Sequence, residues 1–153
     1  MRKLIESHMI RLSGVLLADD KILLIEQDVG DRKWYLPGGK LEQDETLEQG
    51  IIREMCEETG AKTEVERMLC ISDTDFENPA AIHILFLLKL CGGEIGVQKE
   101  FQETIPITNV KFVPVDALVE YGFSKEFMKA CKNRFAAVPA YVGKDTYFDL
   151  KNI

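Results

Sequence analysis

One strong helical segment sits among β-compatible runs in the first part of the chain, and that arrangement sets what this chain can build. A helix is expected from about Glu45 to Thr59, with Ile51, Ile52 and Met55 as an apolar stripe and Gly60 where a left-handed cap is favoured. Ahead of it, Met9 to Ala18 is largely apolar, Asp19-Asp20 supplies a turn, and Lys21 to Gln27 reads as the second arm of a hairpin. Trp34-Tyr35-Leu36 is a short strand stopped by Pro37-Gly38-Gly39. Beyond the helix, Lys62 to Thr74 and Ala80 to Cys91 are two strands joined by the loop Asp75 to Pro79. Gly92 to Thr108 is polar and loop-rich, and Lys111 to Val115 is a further short strand. Asp116 is placed to cap a brief helical turn through Val119. Ser124 opens a second helix through about Phe135, with Phe127, Cys131 and Phe135 at i, i+4 and i+8. The tail Tyr141 to Leu150 suggests a hairpin around Lys144-Asp145. Strands dominate and two helices are inserted, so the predicted class is α+β, with helices packed on a mixed β-sheet. With 153 residues and no repeat, low-complexity tract or linker, a single domain over 1–153 is expected.

Charge narrows the partners. The net charge of −7 argues against a nucleic-acid polymer, whose phosphates are usually met by a basic patch. An acidic protein that handles phosphates needs a cation between its carboxylates and the substrate. Cys56, Cys70, Cys91 and Cys131 make no CxxC pair and no zinc-like set, so buried free thiols in a reducing cytoplasm are expected. The N-terminal MRKLIESHMIRL lacks a continuous apolar core and a cleavage site, and Ile82 to Leu90 is too short to span a bilayer. The expectation is a cytoplasmic protein with no membrane partner, as a monomer or homodimer.

The chemistry concentrates in one stretch. On the helix, Glu54, Glu57 and Glu58 are related by i, i+3 and i+4, so their carboxylates share one face. Like charges at that spacing cost about 0.2–0.5 kcal/mol per pair. They also sit at the negative end of the helix dipole, at about 0.3–1 kcal/mol for each exposed charge. A divalent cation reverses the sign of both effects, and hard carboxylate oxygens without a nearby His or Cys select Mg²⁺ or Mn²⁺. An isolated ExxEE is ordinarily a solvated acidic face; here it follows a glycine pair that lets backbone approach a metal or phosphate closely. Gly50, one turn before Glu54, reads as a site of tight packing.

Taken together, Gly39 is followed after five residues by Glu45 and after seven more by Arg53-Glu54-Met55-Cys56-Glu57-Glu58-Thr59-Gly60-Ala61. This resembles the Nudix box of the Nudix hydrolase superfamily (MutT-like) at Gly39, Glu45, Arg53, Glu54, Glu57, Glu58 and Gly60. Met55 and Ala61 stand where the family usually has a bulky aliphatic residue, a departure that touches packing. The strand order and late second helix are similar to the Nudix α/β/α sandwich.

The resemblance implies Mg²⁺-dependent hydrolysis, with Mn²⁺ as the other candidate, of a pyrophosphate bond in a nucleoside diphosphate linked to another moiety. It implies that Glu57 and Glu58 are principal metal ligands, that Glu54 is a further ligand or the base, and that the Gly38 carbonyl is a backbone ligand. Arg53 would orient a glutamate by a salt bridge with Glu57 or Glu45. Glu45 is divided between supporting that site and capping the helix. A further acid is expected from the segment Glu94 to Glu103, with Glu100 favoured and then Glu103. Either Trp34 or Tyr35 could stack a base, with Trp34 the named candidate, and Lys40, Arg32 and Arg11 are candidates to contact phosphates. His8 and His83 are assigned no role. The segment before the box does not resemble the coenzyme A subgroup's motif. Phe76, Glu77 and Pro79 fit neither the ADP-ribose nor the diadenosine polyphosphate pattern. By elimination the substrate is a nucleoside triphosphate or its oxidised form, with ADP-ribose or another nucleotide sugar next. The alternative from another class is a non-catalytic nucleotide-sensing module.

Overall fold

A computed structural model describes residues 8–28, 33–74, 81–101, 104–144 and 147–150. The expected hairpin forms as read: β1 is Met9–Ala18 and β2 is Lys21–Gln27. Yet the two strands pair only beside the turn, through Leu17↔Ile22 and Ala18↔Lys21. They then part. β1 continues in parallel with β6 (Ala81–Gly93) from Met9↔Ala81 to Leu16↔Leu88. β2 instead pairs with β3 (Trp34–Tyr35) and with β7 (Ile107–Pro114). β5 (Ala61–Asp73) runs antiparallel to β6, and β8 (Tyr141–Lys144) adds a parallel edge. The sheet is therefore mixed, as predicted.

Alternation along β1 and β6 divides the core in two. Leu12, Leu16, Ile84, Phe86 and Leu88 meet Ile51 and Met55 of α1 (Leu47–Thr59). Val15, Leu85 and Leu87 join the cluster that holds Phe127 and Cys131 of α2 (Lys125–Lys132). Successive side chains leave a strand on opposite faces, so one helix covers each face. This is the expected α/β/α sandwich.

Several local expectations are corrected. α1 starts at Leu47 because Thr46 is the cap: its side chain accepts the Gln49 N–H, and the Gln49 side chain accepts the Thr46 N–H. Gly60, at φ 78°, closes the other end in the left-handed region. Gly50 is a packing site, since a Cβ there would press on Leu12 and Leu41. Asp116 is not a cap, and the turn at Val115–Ala117 has no side-chain cap. Ser124 does cap α2, but the helix stops at Lys132. Arg134 and Phe135 then take positive φ, which returns Phe135 to the ring of Phe127. Among the described residues of the tail, Tyr141–Lys144 pairs with β5 and no hairpin partner is seen, while Phe148 and Leu150 are buried; the turn position Asp145 lies outside the described residues. All four cysteines are free, but only Cys70 and Cys131 are buried. Among the described residues no helix is long and apolar enough to cross a membrane.

Candidate active site

The divergence of β1 from β2 leaves a wedge, and the segment after Pro37 fills its mouth. The Gly14 N–H donates to the Pro37 carbonyl (2.9 Å), and Gly38–Lys40 forms β4, antiparallel to β1 through Arg11↔Lys40, Leu12↔Gly39 and Ser13↔Gly38. The glycine pair expected as a turn is thus a strand. A side chain at Gly38 would strike the Leu12 carbonyl, and a Cβ on Gly39 would lie 2.5 Å from the Glu54 carboxylate. Close approach, to backbone on one side and to the acidic helix on the other, requires glycine at both places.

Behind this strand lies a cavity of about 610 Å³. Its lining combines charged residues, Arg11, Lys40, Glu42, Glu54 and Glu58, with Gly38 and Gly39 and with the apolar and aromatic Ile25, Tyr35, Leu36 and Ile105. Glu58 also borders a second cavity of about 490 Å³, shared with Glu57, Lys99 and Phe101. The loop beyond β6 is brought to it by a hydrogen bond from the Gly96 N–H to the Thr59 carbonyl at the end of α1 (2.9 Å).

Arg53 organises the carboxylates. Its Nε and Nη2 take both oxygens of Glu45 (3.0 and 2.7 Å), Nη1 takes Glu54 (2.9 Å) and Glu57 (3.3 Å), and Nη2 donates to the Lys40 carbonyl (3.0 Å). The predicted salt bridge is present to both candidates, Glu45 and Glu57, and to Glu54 besides. The capping role weighed for Glu45 is corrected, because Thr46 caps the helix; the Glu45 carboxylate spans the Glu42 N–H (2.8 Å) and Arg53. The Arg53 guanidinium, and after it the Glu42 N–H, hold the Glu45 carboxyl down at about 2. An unfolded glutamate titrates near 4.3. Its folded value is depressed, so its contribution to stability is present above about pH 4.3 and lost as pH falls through about 2. Wild type should therefore melt higher than Glu45→Gln at neutral pH, and thermal scans should show the gap closing between about pH 4 and pH 2. A gap constant over that range would detach Glu45 from acid stability.

Glu58 departs from the picture of one solvated acidic face. It is 5% exposed, Glu54 is 8% exposed, and the Gly38 N–H donates to Glu58 Oε1 at 2.6 Å. Glu57 is half-buried. Among the described residues, no three carboxylate, imidazole or thiolate groups stand close enough to enclose an ion as they lie. The donor chemistry nevertheless fits a hard divalent cation: carboxylate oxygens and a glycine backbone line a cavity, with the Arg53 charge already engaged by four glutamates, Glu42, Glu45, Glu54 and Glu57.

Other expected residues divide. Lys40 and Arg11 line the cavity. Trp34 does not line it and packs edge-on against Tyr121 (5.1 Å), with Lys111 over its ring (5.0 Å). Alternation along β3 sends its neighbour Tyr35 into the cavity instead. Glu100 is exposed on the loop whose residues Lys99 and Phe101 border Glu57 and Glu58. Arg32 and Glu103 lie outside the described residues, as do Phe76, Glu77 and Pro79. Sequence reasoning missed Ser13, Ile25, Gln27 and Glu42. The available signal was Arg11 and Ser13, two polar residues at i and i+2 in an apolar strand.

Residues 8–132 match the NUDIX domain family model. An ADP-ribose pyrophosphatase of Methanocaldococcus jannaschii is 34% identical over 121 residues, covering 76% of this chain and 68% of that protein. An 8-oxo-dGDP phosphatase of Homo sapiens is 32% identical over 91 residues, 58% of this chain but only 27% of the human protein's length. The crystal structure of a UDP-X diphosphatase superposes with a TM-score of 0.66 at 26% identity, over 91% of this chain and 68% of that one. The chain belongs to the NUDIX domain family and is an enzyme of the Nudix hydrolase class.

Proposed function

We propose that this chain, acting as one domain, hydrolyses a pyrophosphate bond in a nucleoside diphosphate linked to another moiety, with Mg²⁺ or Mn²⁺ bound at the acidic helix. The observation that carries this reading is the cavity itself, whose lining brings Glu54 and Glu58 together with Ile25, Tyr35 and Leu36. Charged lining residues suit phosphates, and apolar and aromatic ones suit a base. Glu57 and Glu58 would hold the metal with the Gly38 carbonyl, and Glu54 would be a further ligand or take the proton of the attacking water. The ion would supply charge neutralisation at the phosphates and a more acidic bound water. Arg53 holds the acids in place, while Lys40 and Arg11 meet phosphate oxygens.

Two substrate classes are supported. The archaeal relative's name supports ADP-ribose, and the human relative's name supports an oxidised nucleotide. Phosphate or monophosphate release from ADP-ribose, a UDP-sugar, the common nucleoside triphosphates and 8-oxo-dGDP, each with Mg²⁺, decides among them. No release from any member of that panel would favour a nucleotide-sensing module instead.

Metal should also act without substrate. If the glutamates repel one another in the apo protein, millimolar Mg²⁺ or Mn²⁺ should raise the melting temperature by mass action on the native state. A melting temperature indifferent to both ions would count against a metal site in the free enzyme. The helix alone offers fewer oxygens than Mg²⁺ and a pyrophosphate need, so a loop acid is proposed to contribute. Glu100→Gln should lower turnover at least tenfold and raise the Mg²⁺ concentration for half activity. Glu103→Gln is the companion variant. Wild-type turnover and metal dependence in both would leave the site to the helix and Gly38.

A further inference from the structure

His83 is 2% exposed and Ser13 is 4% exposed, and they are joined at 2.7 Å between Nε2 and Oγ. They stand on adjacent parallel strands: Arg11 lies opposite His83, so Ser13, two residues on, shares its face. Across the other strand pair the register sets buried Ser72 opposite His83. An imidazole and two hydroxyls are thus buried together across three adjacent strands. Such groups are costly to bury, and a valine or leucine would fill the space without that cost. Of these, Ser13 alone lines the cavity.

Its position there is specific. Ser13 pairs in register with Gly38 and shares the cavity with Ile25 and Tyr35. A serine hydroxyl has one donor and two acceptor sites, and His83 engages one of them. The imidazole thereby fixes the rotor of a hydroxyl that borders a partly aromatic cavity. A hydroxyl so oriented discriminates, because its remaining site pairs only with a ligand that offers the complementary donor or acceptor there.

We propose that Ser13, oriented by His83, is a specificity-determining residue that hydrogen-bonds the base of the nucleotide, with His83 as its positioning residue. This rests on the nucleotide reading of the cavity and adds to it the atom that selects the base. The phosphates are met by Lys40, Arg11 and the acidic helix, so loss of Ser13 should spare them.

The test is calorimetric titration of adenosine, guanosine and uridine monophosphates, and of inorganic pyrophosphate, into the Mg²⁺-loaded protein. Wild type should favour one base at least fivefold. Ser13→Ala should weaken that monophosphate at least fivefold and flatten the preference, while pyrophosphate affinity stays within twofold. Ser13→Ala leaves the imidazole without this hydroxyl, so the double variant Ser13→Ala/His83→Leu, which removes both polar groups, separates folding from recognition. It should regain the melting temperature that the single variant loses and remain deficient in base preference. Unchanged base preference in Ser13→Ala overturns the proposal. So does a parallel loss of pyrophosphate affinity, or a wild type that binds no monophosphate. If wild type binds nucleotides and hydrolyses none, the catalytic reading fails, and the titrations of Ser13→Ala still decide whether this hydroxyl selects the base.

Discussion

Glu58→Gln should lose at least two orders of magnitude in turnover, about 2.7 kcal/mol of transition-state stabilisation at a tenfold change per 1.36 kcal/mol. The substitution removes one negative charge and almost no volume. It therefore isolates the electrostatic contribution that a metal-centred site requires. The fold should persist for a reason particular to this chain: Glu58 Oε1 accepts the Gly38 N–H at 2.6 Å, and a glutamine oxygen can accept it too. Some loss is still expected, since a hydrogen bond to an ionised acceptor is about twice as strong as a neutral one. Steady-state kinetics at saturating Mg²⁺, alongside a melting scan without metal, gives both numbers. A folded Glu58→Gln protein with wild-type turnover would remove the metal site from the C-terminal turn of α1.

The second large effect belongs to Arg53. Its guanidinium serves Glu45, Glu54 and Glu57 and the Lys40 carbonyl at once, tying the helix to the loop before it and to the end of β4. Only a planar fork with several donors can do so, and a lysine ammonium is a single point of charge. Arg53→Ala leaves Glu54 and Glu45 facing each other without the cation. Removing one partner of a fully buried pair costs about 3–5 kcal/mol. The Arg53 side chain is 20% exposed, and solvent screening brings the expectation to about 2 kcal/mol. In a domain of this size that is a fall of about 4–8 °C in melting temperature. Turnover should fall at least a hundredfold in Arg53→Ala and at least tenfold in Arg53→Lys. Added Mg²⁺ should restore part of the melting temperature, because a cation again offsets the acids. Melting and turnover both at wild-type values in Arg53→Ala would mean that the glutamates hold their places unaided.

These two residues were legible in the sequence because their spacing along one helix is itself a geometry. At 3.6 residues per turn, positions 53, 54, 57 and 58 must be neighbours whatever the rest of the chain does. The same holds for the left-handed cap at Gly60 and for the β1–β2 hairpin turn. Each is set by contacts within a few residues. What Glu58 does there was not legible, because its partner is the amide of Gly38, 20 residues away on a different element. Nor could the helix pattern show that Arg53 reaches the Lys40 carbonyl, 13 residues back.

The limit of local reasoning is clearest at Trp34 and Tyr35. Either ring could have stacked a base, and adjacent strand residues point to opposite faces, so sequence alone leaves the choice open. The pairing Ile25↔Tyr35 and Glu26↔Trp34 separates them, with Tyr35 lining the cavity and Trp34 against Tyr121. By itself the sequence determined most of the elements, the acidic helix face and its Gly60 cap, since propensity, capping and periodicity act over a turn or two; the strand Gly38–Lys40 and the Thr46 cap emerged only in the structure. Tertiary structure alone decided where the substrate space lies. β1 and β2 separate after two paired positions because each finds longer pairing elsewhere, β1 with β6 and β2 with β7. The wedge they leave is a product of long-range register, which no short stretch of sequence encodes.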